Sequence, residues 1–288
     1  MTLEEALRKV TYKLKEAAID QPRLEAEILL AWASNLSRPQ LLARLDEELP
    51  VSVSHKLWQA VEQRGNRYPL QYIIGRQQFM SLDFRVTSDV LIPRQDTEVV
   101  VENVLKCLKS EGNYCIADCG TGSGAIALSL AYFLPNSNFY ATDINPSALA
   151  VAQQNARNLG LADRVTFGRG NFLSPFKSLK FDVIVSNPPY IPTGELGNLP
   201  KEVQAEPLIA LDGGPDGLAA YREILPQAAE ALVEGGLLAM EIGYNQGADV
   251  LNLAKAIGAF RDIRILPDYA GRDRCFLAYR HSKNKVKG

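Results

Sequence analysis

The spacing of apolar residues divides this chain into three stretches. In the first, which extends to about residue 70, apolar positions recur at helical intervals, and one such face consists of Leu3, Leu7, Val10 and Leu14. Helix starts are indicated at Asp20-Gln21-Pro22, Ser37-Arg38-Pro39 and Ser54. Residues 1–72 are therefore predicted to form an amino-terminal helical domain. The periodicity leaves its role open between a scaffold or lid and a docking site for a macromolecular substrate.

The second stretch, residues 73–90, changes to short alternating pieces. Phe79-Met80 and the run from Leu82 to Val86 predict a β-hairpin that links two domains. The segment Leu91-Ile92-Pro93-Arg94-Gln95-Asp96-Thr97-Glu98 then predicts a turn that runs into a helix. Its acidic residues either complement the helix dipole or simply cap the helix start.

The third stretch, residues 91–282, alternates strands with helices from Tyr114 onward. Strands are predicted at 114–119, 138–143, 164–168, 181–186, 236–242, 261–266 and 275–279, and helices near 124–133, 146–159, 217–233 and 246–257. This alternation predicts an α/β domain with a doubly wound, mostly parallel seven-stranded sheet. The last two strands are joined by residues 268–274 alone, which is too short for a helical crossover, so the last strand should be antiparallel. Residues 283–288 form a basic tail that we expect to be frayed.

The most informative segment is Ser186-Asn187-Pro188-Pro189-Tyr190-Ile191, which ends the apolar strand 181–186. Two prolines fix two φ angles and remove two backbone donors, so the strand must stop in a stiff, extended loop. Such a loop lies at the carboxyl end of a strand, where open α/β sheets bind ligands. An amide and an aromatic ring there suit a flat NH-bearing group, either a carboxamide or an exocyclic base amine.

Composition narrows the function classes. Apolar residues make up 47% and charged residues 22% of the chain, as in ordinary globular proteins, and the formal net charge of −2 offers no basic field for nucleic acid. The start of the chain lacks the pattern of a signal peptide, and no apolar run reaches membrane-spanning length, so we expect a cytoplasmic protein. Four cysteines and two distant histidines make no metal pattern, and we expect the cysteines to be reduced and mostly buried.

A glycine-rich turn follows the strand at 114–119. Its residues Gly120, Thr121, Gly122, Ser123 and Gly124 permit a tight turn and a close approach of a ligand to bare backbone. Asp143 ends the next strand, at the separation where an acid meets ribose hydroxyls, although it could instead cap the helix that opens at Pro146. Asp118 precedes the glycines and either pairs with a ligand's ammonium group or holds the loop. S-adenosylmethionine carries such an ammonium group beside this loop, whereas nicotinamide and flavin cofactors do not.

Asn171 and Phe172 follow the strand at 164–168. An amide and a ring at this place are candidates for contacts with the amine and face of an adenine. Packing of Phe172 in the core is an equal alternative.

These motifs together resemble a known family. Asp118-Cys-Gly120-Thr-Gly122-Ser-Gly124 and Asn187-Pro188-Pro189-Tyr190 look like class I methyltransferases that methylate amino groups. Three further stretches resemble the HemK/PrmC family of protein-(glutamine-N5) methyltransferases, namely residues 69–75, 90–98 and 211–218 (Leu-Asp-Gly-Gly-Pro-Asp-Gly-Leu). The chain departs from that family's usual residues at Gln95, where Pro is common, and at Asn171 and Phe172, where Asp and Trp are frequent.

The resemblance implies methyl transfer from S-adenosylmethionine to a glutamine amide nitrogen in the Gly-Gly-Gln motif of class I peptide-chain release factors. It implies cofactor contacts from the glycine loop, Asp143, Phe172 and Asn187, and a substrate site at Asn187, Pro188, Pro189 and Tyr190. We expect the Asn187 side-chain oxygen and the Pro188 carbonyl to accept the two amide hydrogens, while Tyr190 packs on the amide; these three residues are the catalytic candidates. No metal, membrane or nucleic acid is expected, and we expect a monomer.

Three other functions stay open at this point. The same four-residue signature occurs in adenine-N6 nucleic-acid methyltransferases, which must extract a base and normally present basic surface to phosphates. A non-catalytic cofactor-binding module and a nicotinamide oxidoreductase are further alternatives.

Overall fold

The structure, a computed structural model, describes residues 1–281; the predicted basic tail lies outside the described residues. The elements of the amino-terminal part are α1 (Leu3–Glu16), α2 (Pro22–Ala33), α3 (Arg38–Leu42), α4 (Val51–Gly65), α5 (Leu70–Ile74), β1 (Arg76–Phe79) and β2 (Leu82–Arg85). They are followed by α6 (Gln95–Cys107), β3 (Cys115–Cys119), α7 (Ala125–Phe133), β4 (Asn138–Asp143), α8 (Pro146–Asn158), β5 (Val165–Arg169) and β6 (Phe181–Ser186). The last are α9 (Lys201–Gln204), α10 (Ala219–Ala231), β7 (Leu232–Glu241), α11 (Gly247–Ile257), β8 (Phe260–Pro267) and β9 (Asp273–Arg280).

The chain divides into two compact units. Unit 1 comprises Met1–Arg76 together with Pro200–Ala205, and unit 2 comprises Gln77–Leu199 and the chain from Glu206 onward. Residues 200–205, which carry α9, were not part of the predicted amino-terminal domain. Sequence position could not assign them because they lie more than a hundred residues from the rest of unit 1.

Unit 1 is a helical bundle with its own core. The predicted face of Leu3, Leu7, Val10 and Leu14 is buried, and it packs with buried residues of α2 and α4. Ser37 caps α3 as predicted, through a reciprocal pair with Gln40. The prediction that Ser54 caps a helix is wrong, because α4 begins three residues earlier, at Val51. Pro50 occupies the cap position, and its carbonyl already accepts the Ser54 backbone N–H.

Helix α9 is held within unit 1 by ion pairs. Arg64, whose side chain is 8% exposed, contacts the Glu25 carboxylate at 2.5 Å and at 3.2 Å, and its third nitrogen contacts Glu202 of α9 at 3.1 Å. Arg67 contacts the same Glu202 oxygen at 3.0 Å. One carboxylate on α9 thus satisfies two guanidinium groups near the end of α4.

Unit 2 is built on a seven-stranded sheet with the order β5-β4-β3-β6-β7-β9-β8. The pairs from β5 to β7 are parallel, and β9 is antiparallel to both β7 and β8. The predicted mostly parallel sheet with an antiparallel last strand is confirmed. The strand order reverses between β3 and β6, where Cys119 pairs with Ser186, so the glycine loop and the Asn-Pro-Pro-Tyr loop emerge side by side.

A buried asparagine holds the β1–β2 hairpin, which precedes the sheet in the chain. The β1–β2 hairpin turns at Met80 and Ser81, which both have positive φ. Asn155 is fully buried on α8; its amide bonds the backbone of Arg85 on β2 in both directions and also donates to the Ser123 carbonyl at 2.8 Å. One asparagine therefore ties the hairpin to the glycine loop.

The capping alternative for the acidic residues of α6 and the expected burial of the cysteines are corrected, while Asp96 and Glu98 do lie in the first turn of α6, as the dipole alternative requires. The acidic residues at the start of α6 do not cap it: Asp96 pairs with Arg274 at 3.3 Å, and Glu98 accepts the Met80 N–H at 2.5 Å. All four cysteines are free, but only Cys119 and Cys275 are buried, and Cys107 is exposed. No helix within residues 1–281 is long and apolar enough to cross a membrane.

Candidate active site

A cavity of about 300 Å³ opens in unit 2 at the carboxyl ends of β3, β4 and β6. Of the residues singled out in the sequence, the cavity is lined by Gly120, Thr121, Gly122, Ser123, Asp143, Asn171, Phe172, Asn187 and Pro189. The wall also includes residues from the ranges 89–93, 144–148 and 209–223, with Thr97, Ala125, Ile126 and Gly170. Tertiary structure thus brings together segments that lie as far apart in the chain as Asp89 and Glu223.

The glycine loop presents backbone to this cavity. Gly122 has φ +55° and its N–H donates to the Asp143 carboxylate at 2.9 Å; a Cβ built on it would meet no atom within 4 Å. Gly120 also lines the cavity, and Gly124 occupies the cap position of α7 without lining it. The loop therefore leaves room for a ligand against bare backbone.

Asp118 holds the loop and does not face the cavity. Its side chain is buried, and one oxygen accepts both the Thr121 hydroxyl at 2.6 Å and the Ala127 N–H at 3.1 Å. The other oxygen has no partner among the described residues. Burial raises the pKa of Asp118 to about 7. Of the two roles left open by the sequence, the structure supports the loop-holding one.

Asp143 ends β4 inside the cavity. One carboxylate oxygen accepts the Gly122 N–H, and the other accepts the Asn145 N–H, both at 2.9 Å. The side chain that caps α8 is Asn145, which accepts the Ser147 N–H, so the capping alternative for Asp143 is wrong. Burial raises the pKa of Asp143 even though backbone donors lower it. A carboxylate with two such donors keeps lone pairs free for hydroxyl groups.

Asn171 and Phe172 lie on the cavity wall after β5. The Asn171 amide nitrogen donates to Glu223 on α10, which also lines the cavity. Phe172 adopts a positive φ of 46° and packs partly against the core while it lines the cavity. The alternative of core packing therefore holds in part, and contact of Phe172 with an adenine stays a prediction.

Asn187 is oriented by two residues that the sequence did not single out. Its amide nitrogen donates to the Thr97 hydroxyl at 3.0 Å, and this hydroxyl donates to the Glu241 carboxylate at 2.5 Å. Glu241 is 1% exposed, and burial raises its pKa. With the nitrogen committed to Thr97, the Asn187 carbonyl oxygen is left to the cavity.

Pro188 and Tyr190 lie behind the cavity wall. The Tyr190 hydroxyl donates to the second Glu241 oxygen at 3.1 Å, and its backbone carbonyl accepts the Gln246 amide at 2.9 Å. Burial raises the pKa of Tyr190. Pro188 is buried, and neither residue lines the cavity, whereas Pro189 does. The ring is thus held by its hydroxyl, and its predicted stacking on a substrate amide stays a prediction.

The sequence offered partial signals for the residues that it missed. Glu241 stands at the end of an apolar strand, as Asp143 does, and an acid in that position was the signal used for Asp143. Thr97 lies in a stretch that was used only for a turn-to-helix prediction and for the family resemblance, with no role assigned to its hydroxyl. Gln246 carried no signal, because its role follows from a contact with a carbonyl 56 residues away.

The residues in the cavity fit S-adenosylmethionine. Asp143 supplies acceptors for ribose hydroxyls, the glycine loop leaves open space beside its backbone, and Asn171 with Phe172 supplies an amide and a ring for the base. Within residues 1–281, no three His, Cys, Asp or Glu side chains are grouped as metal ligands.

Comparisons with known proteins agree with these features. Residues 5–75 match the family model described as PrmC N-terminal domain, and residues 96–198 match the one described as Methyltransferase small domain. The release factor glutamine methyltransferase of Moorella thermoacetica is 61% identical over 283 residues, covering 98% of this chain and all of that protein. The one from Caulobacter vibrioides is 39% identical over 282 residues, covering 98% of this chain and 97% of that protein. The solved structure of a methyltransferase from Pyrococcus furiosus covers 70% of this chain and 90% of its own at 17% identity, with a TM-score of 0.51, and shows the fold alone.

Proposed function

The chain belongs to the release factor glutamine methyltransferase family, and on this premise we propose that it methylates the Gly-Gly-Gln glutamine of class I peptide-chain release factors. The side-chain amide nitrogen would take the methyl group from the sulfonium of S-adenosylmethionine, whose methyl–sulfur bond breaks to leave S-adenosylhomocysteine, and the nitrogen would release one proton. The observation that carries the proposal is the orientation of Asn187, whose nitrogen is held by Thr97 so that its oxygen is left to the cavity.

An amide nitrogen is a poor nucleophile because its lone pair is delocalised into the carbonyl. We propose that the Asn187 oxygen accepts one hydrogen of the substrate amide and that the backbone carbonyl of Pro188, whose ring is buried behind the cavity wall, accepts the other, so that the amide nitrogen is directed into the cavity. Both acceptors also favour the positive charge that grows on nitrogen during transfer. Positioning of this kind contributes up to roughly 7–11 kcal/mol, so the site needs no covalent relay.

The cofactor side of the cavity supplies the activated methyl when S-adenosylmethionine is bound. Asp143 would accept the ribose hydroxyls, and the backbone of Gly120, Thr121, Gly122 and Ser123 would lie against the methionyl part, while Gly124 supports this loop as the cap of α7. Phe172 contacts the adenine, and Asn187 borders both cofactor and substrate. Pro189 lines the cavity between them, and Tyr190, held by Glu241, keeps water from the substrate side.

The substrate is tested by incubating the enzyme with S-adenosylmethionine and purified release factor, followed by mass spectrometry of the Gly-Gly-Gln peptide. One added methyl on that glutamine is the expected result, and a release factor with Gln replaced by Ala at that position should gain none. Duplex DNA serves as the second substrate. Methyl transfer to adenine with none to the release factor would overturn the proposal. The monomeric state is a further part of the proposal, to be measured by light scattering.

A further inference from the structure

A buried hydrogen-bonded chain runs from the reacting side of the cavity into the core of unit 2. It starts at the Asn187 amide nitrogen, passes through the Thr97 hydroxyl and ends at one oxygen of Glu241, over distances of 3.0 Å and 2.5 Å. Asn187 directly follows β6, Thr97 lies on α6 and Glu241 ends β7; Thr97 and Glu241 are 4% and 1% exposed. Water therefore has little access to the Thr97–Glu241 hydrogen bond, whereas Asn187 is half-buried and faces the cavity.

The directions of these hydrogen bonds follow from what each group is able to donate. Both Glu241 oxygens accept, one from Thr97 and one from Tyr190, so the single proton of the Thr97 hydroxyl is committed to Glu241. The Thr97 oxygen is then restricted to accepting, and the only side of Asn187 that donates is its nitrogen. We infer that Glu241 is the positioning residue that sets, through Thr97, which face of the Asn187 amide is presented to the substrate.

The groups around Glu241 keep both of its oxygens acting as hydrogen-bond acceptors. Its second oxygen accepts the Tyr190 hydroxyl at 3.1 Å, so both oxygens are engaged as acceptors. Arg274 on β9 supplies positive charge nearby and favours the ionised form, against burial, which raises the pKa of Glu241. The other titratable groups that face it are Asp96, Tyr221 and Cys275.

The orientation matters for the proposed chemistry, on which this inference rests. A substrate amide nitrogen brings two hydrogens, so it needs an acceptor from Asn187. With the Asn187 amide turned over, a second NH₂ group would meet the substrate NH₂, and neither has a lone pair to offer. Loss of the Glu241–Thr97 constraint should therefore reduce turnover and leave cofactor binding intact.

The first test separates the hydroxyl of Thr97 from its volume. Thr97→Val keeps the shape and removes the hydroxyl, whereas Thr97→Ser keeps the hydroxyl. We expect Thr97→Val to lower kcat about ten-fold or more, while Thr97→Ser stays close to the native enzyme and both retain the native Kd for S-adenosylmethionine. An equal loss of kcat in the two variants, or no loss of kcat in either, would overturn the inference.

The second test addresses Glu241 itself. Glu241→Gln keeps the shape but places a donor on one side, so either Thr97 or Tyr190 loses its acceptor. We expect kcat to fall about ten-fold with cofactor affinity unchanged. A loss in Thr97→Val without a loss in Glu241→Gln would show that Thr97 alone sets the orientation, which contradicts the inference.

Hydrogen exchange measured on the enzyme without substrate tests this inference separately from the proposed function. In ¹⁵N-asparagine-labelled enzyme, the Asn187 side-chain NH₂ signals, assigned by their loss in Asn187→Asp, should exchange slowly with water. They should remain slow in Thr97→Ser and become fast in Thr97→Val and in Glu241→Gln. This pattern would support the inference even if no release factor were methylated, and fast exchange in the native enzyme would overturn it.

Discussion

A Cβ atom on Gly217 would lie 2.5 Å from the backbone carbonyl oxygen of Tyr190. The same carbonyl accepts the Gln246 amide, and that amide nitrogen would also lie 2.5 Å from the added atom. Gly213, in the same stretch, would place a Cβ 2.8 Å from the Tyr190 backbone, and its N–H donates to the Ile191 carbonyl. Residues 211–218 therefore pack directly against the backbone of the Asn-Pro-Pro-Tyr loop. Only glycine, which has no Cβ atom, fits this closely at positions 213 and 217.

Gly217→Ala should lower methyl transfer by more than the backbone strain at residue 217 accounts for. Gly217 has φ +74°, which costs an L-residue roughly 1–2 kcal/mol, and the collision with Tyr190 must in addition displace the loop. We expect kcat to fall about 10²-fold, as an ångström-scale misplacement of a reacting group can cause. Gly258→Ala is the matched control, because Gly258 has φ +68° and its Cβ would meet nothing within 4 Å. Equal activity of the two variants would contradict the supporting role.

Asn187→Ala should abolish methyl transfer while cofactor binding stays mostly intact. The substitution removes the acceptor for the substrate amide, for which a loss of about 10²–10³ in kcat is typical. Calorimetric titration with S-adenosylmethionine measures the binding, and Asn198→Ala, at an exposed asparagine, is the control. Affinity lost in proportion to activity would make Asn187 a cofactor ligand instead.

Asp143→Ala should have the opposite effect and weaken cofactor binding first. The variant loses the acceptor assigned to the ribose and also the anchor of the Gly122 N–H. A rise in the Kd for S-adenosylmethionine of about 10- to 100-fold, equivalent to roughly 1.4–2.8 kcal/mol, is expected. At saturating cofactor, kcat should recover. Asp163→Ala removes an exposed carboxylate and should leave the Kd unchanged.

Asp118 should make the stability of the protein depend on pH. Its pKa of about 7 in the folded state lies above the value of 3.8 for the unfolded chain, because the carboxylate is buried. Between these values the folded state holds a proton that the unfolded state releases, so the free energy of unfolding falls as the pH rises. The full difference is at most ~4 kcal/mol.

Asp118→Asn removes this titration. In denaturant unfolding from about pH 5 to about pH 8, the free energy of unfolding of the variant should rise relative to that of the native protein as the pH rises. Parallel pH profiles of the two proteins would contradict the buried, neutralised state of Asp118.

Arg64→Met should destabilise unit 1. The substitution removes the guanidinium group that contacts the Glu25 carboxylate, whose side chain is 17% exposed, through two nitrogens. It also removes the contact between Arg64 and Glu202 of α9. Removing one member of a buried pair is costly, and for these partly exposed carboxylates we expect about 2 kcal/mol. The fluorescence of Trp32 and Trp58, the two tryptophans of the chain, reports on unit 1 during unfolding.

The matched control for that measurement is Arg44→Met. Arg44 and Glu47 stand 4.0 Å apart and are about half exposed, so this change should stay within about 0.5 kcal/mol. Equal destabilisation by the two substitutions would show that the Arg64 cluster does not hold unit 1 together.

The order and type of the elements could be read from the sequence because they depend on local patterns. Apolar runs without alternation marked the strands buried on both faces, and the short connection before the last strand fixed its direction. The glycine loop and the Asn-Pro-Pro-Tyr loop were found for the same reason, since each is a contiguous run with its own backbone constraints. Helix starts were less certain, as Ser54 shows, because Pro50 competes for the same role a few residues away.

The sequence by itself located the two loops, because each is a contiguous run at the carboxyl end of a predicted strand, and parallel strands bring their carboxyl ends to one edge of the sheet. That the two loops are neighbours follows from the pairing of β3 with β6, which are not consecutive strands. The tertiary structure alone decided how their side chains are held. Thr97 lies 90 residues from Asn187 and 144 from Glu241, and Asp118 turned inward to the loop rather than outward to the cavity. Such hydrogen bonds follow from packing between distant elements in a dry core, and no periodicity along the chain encodes them.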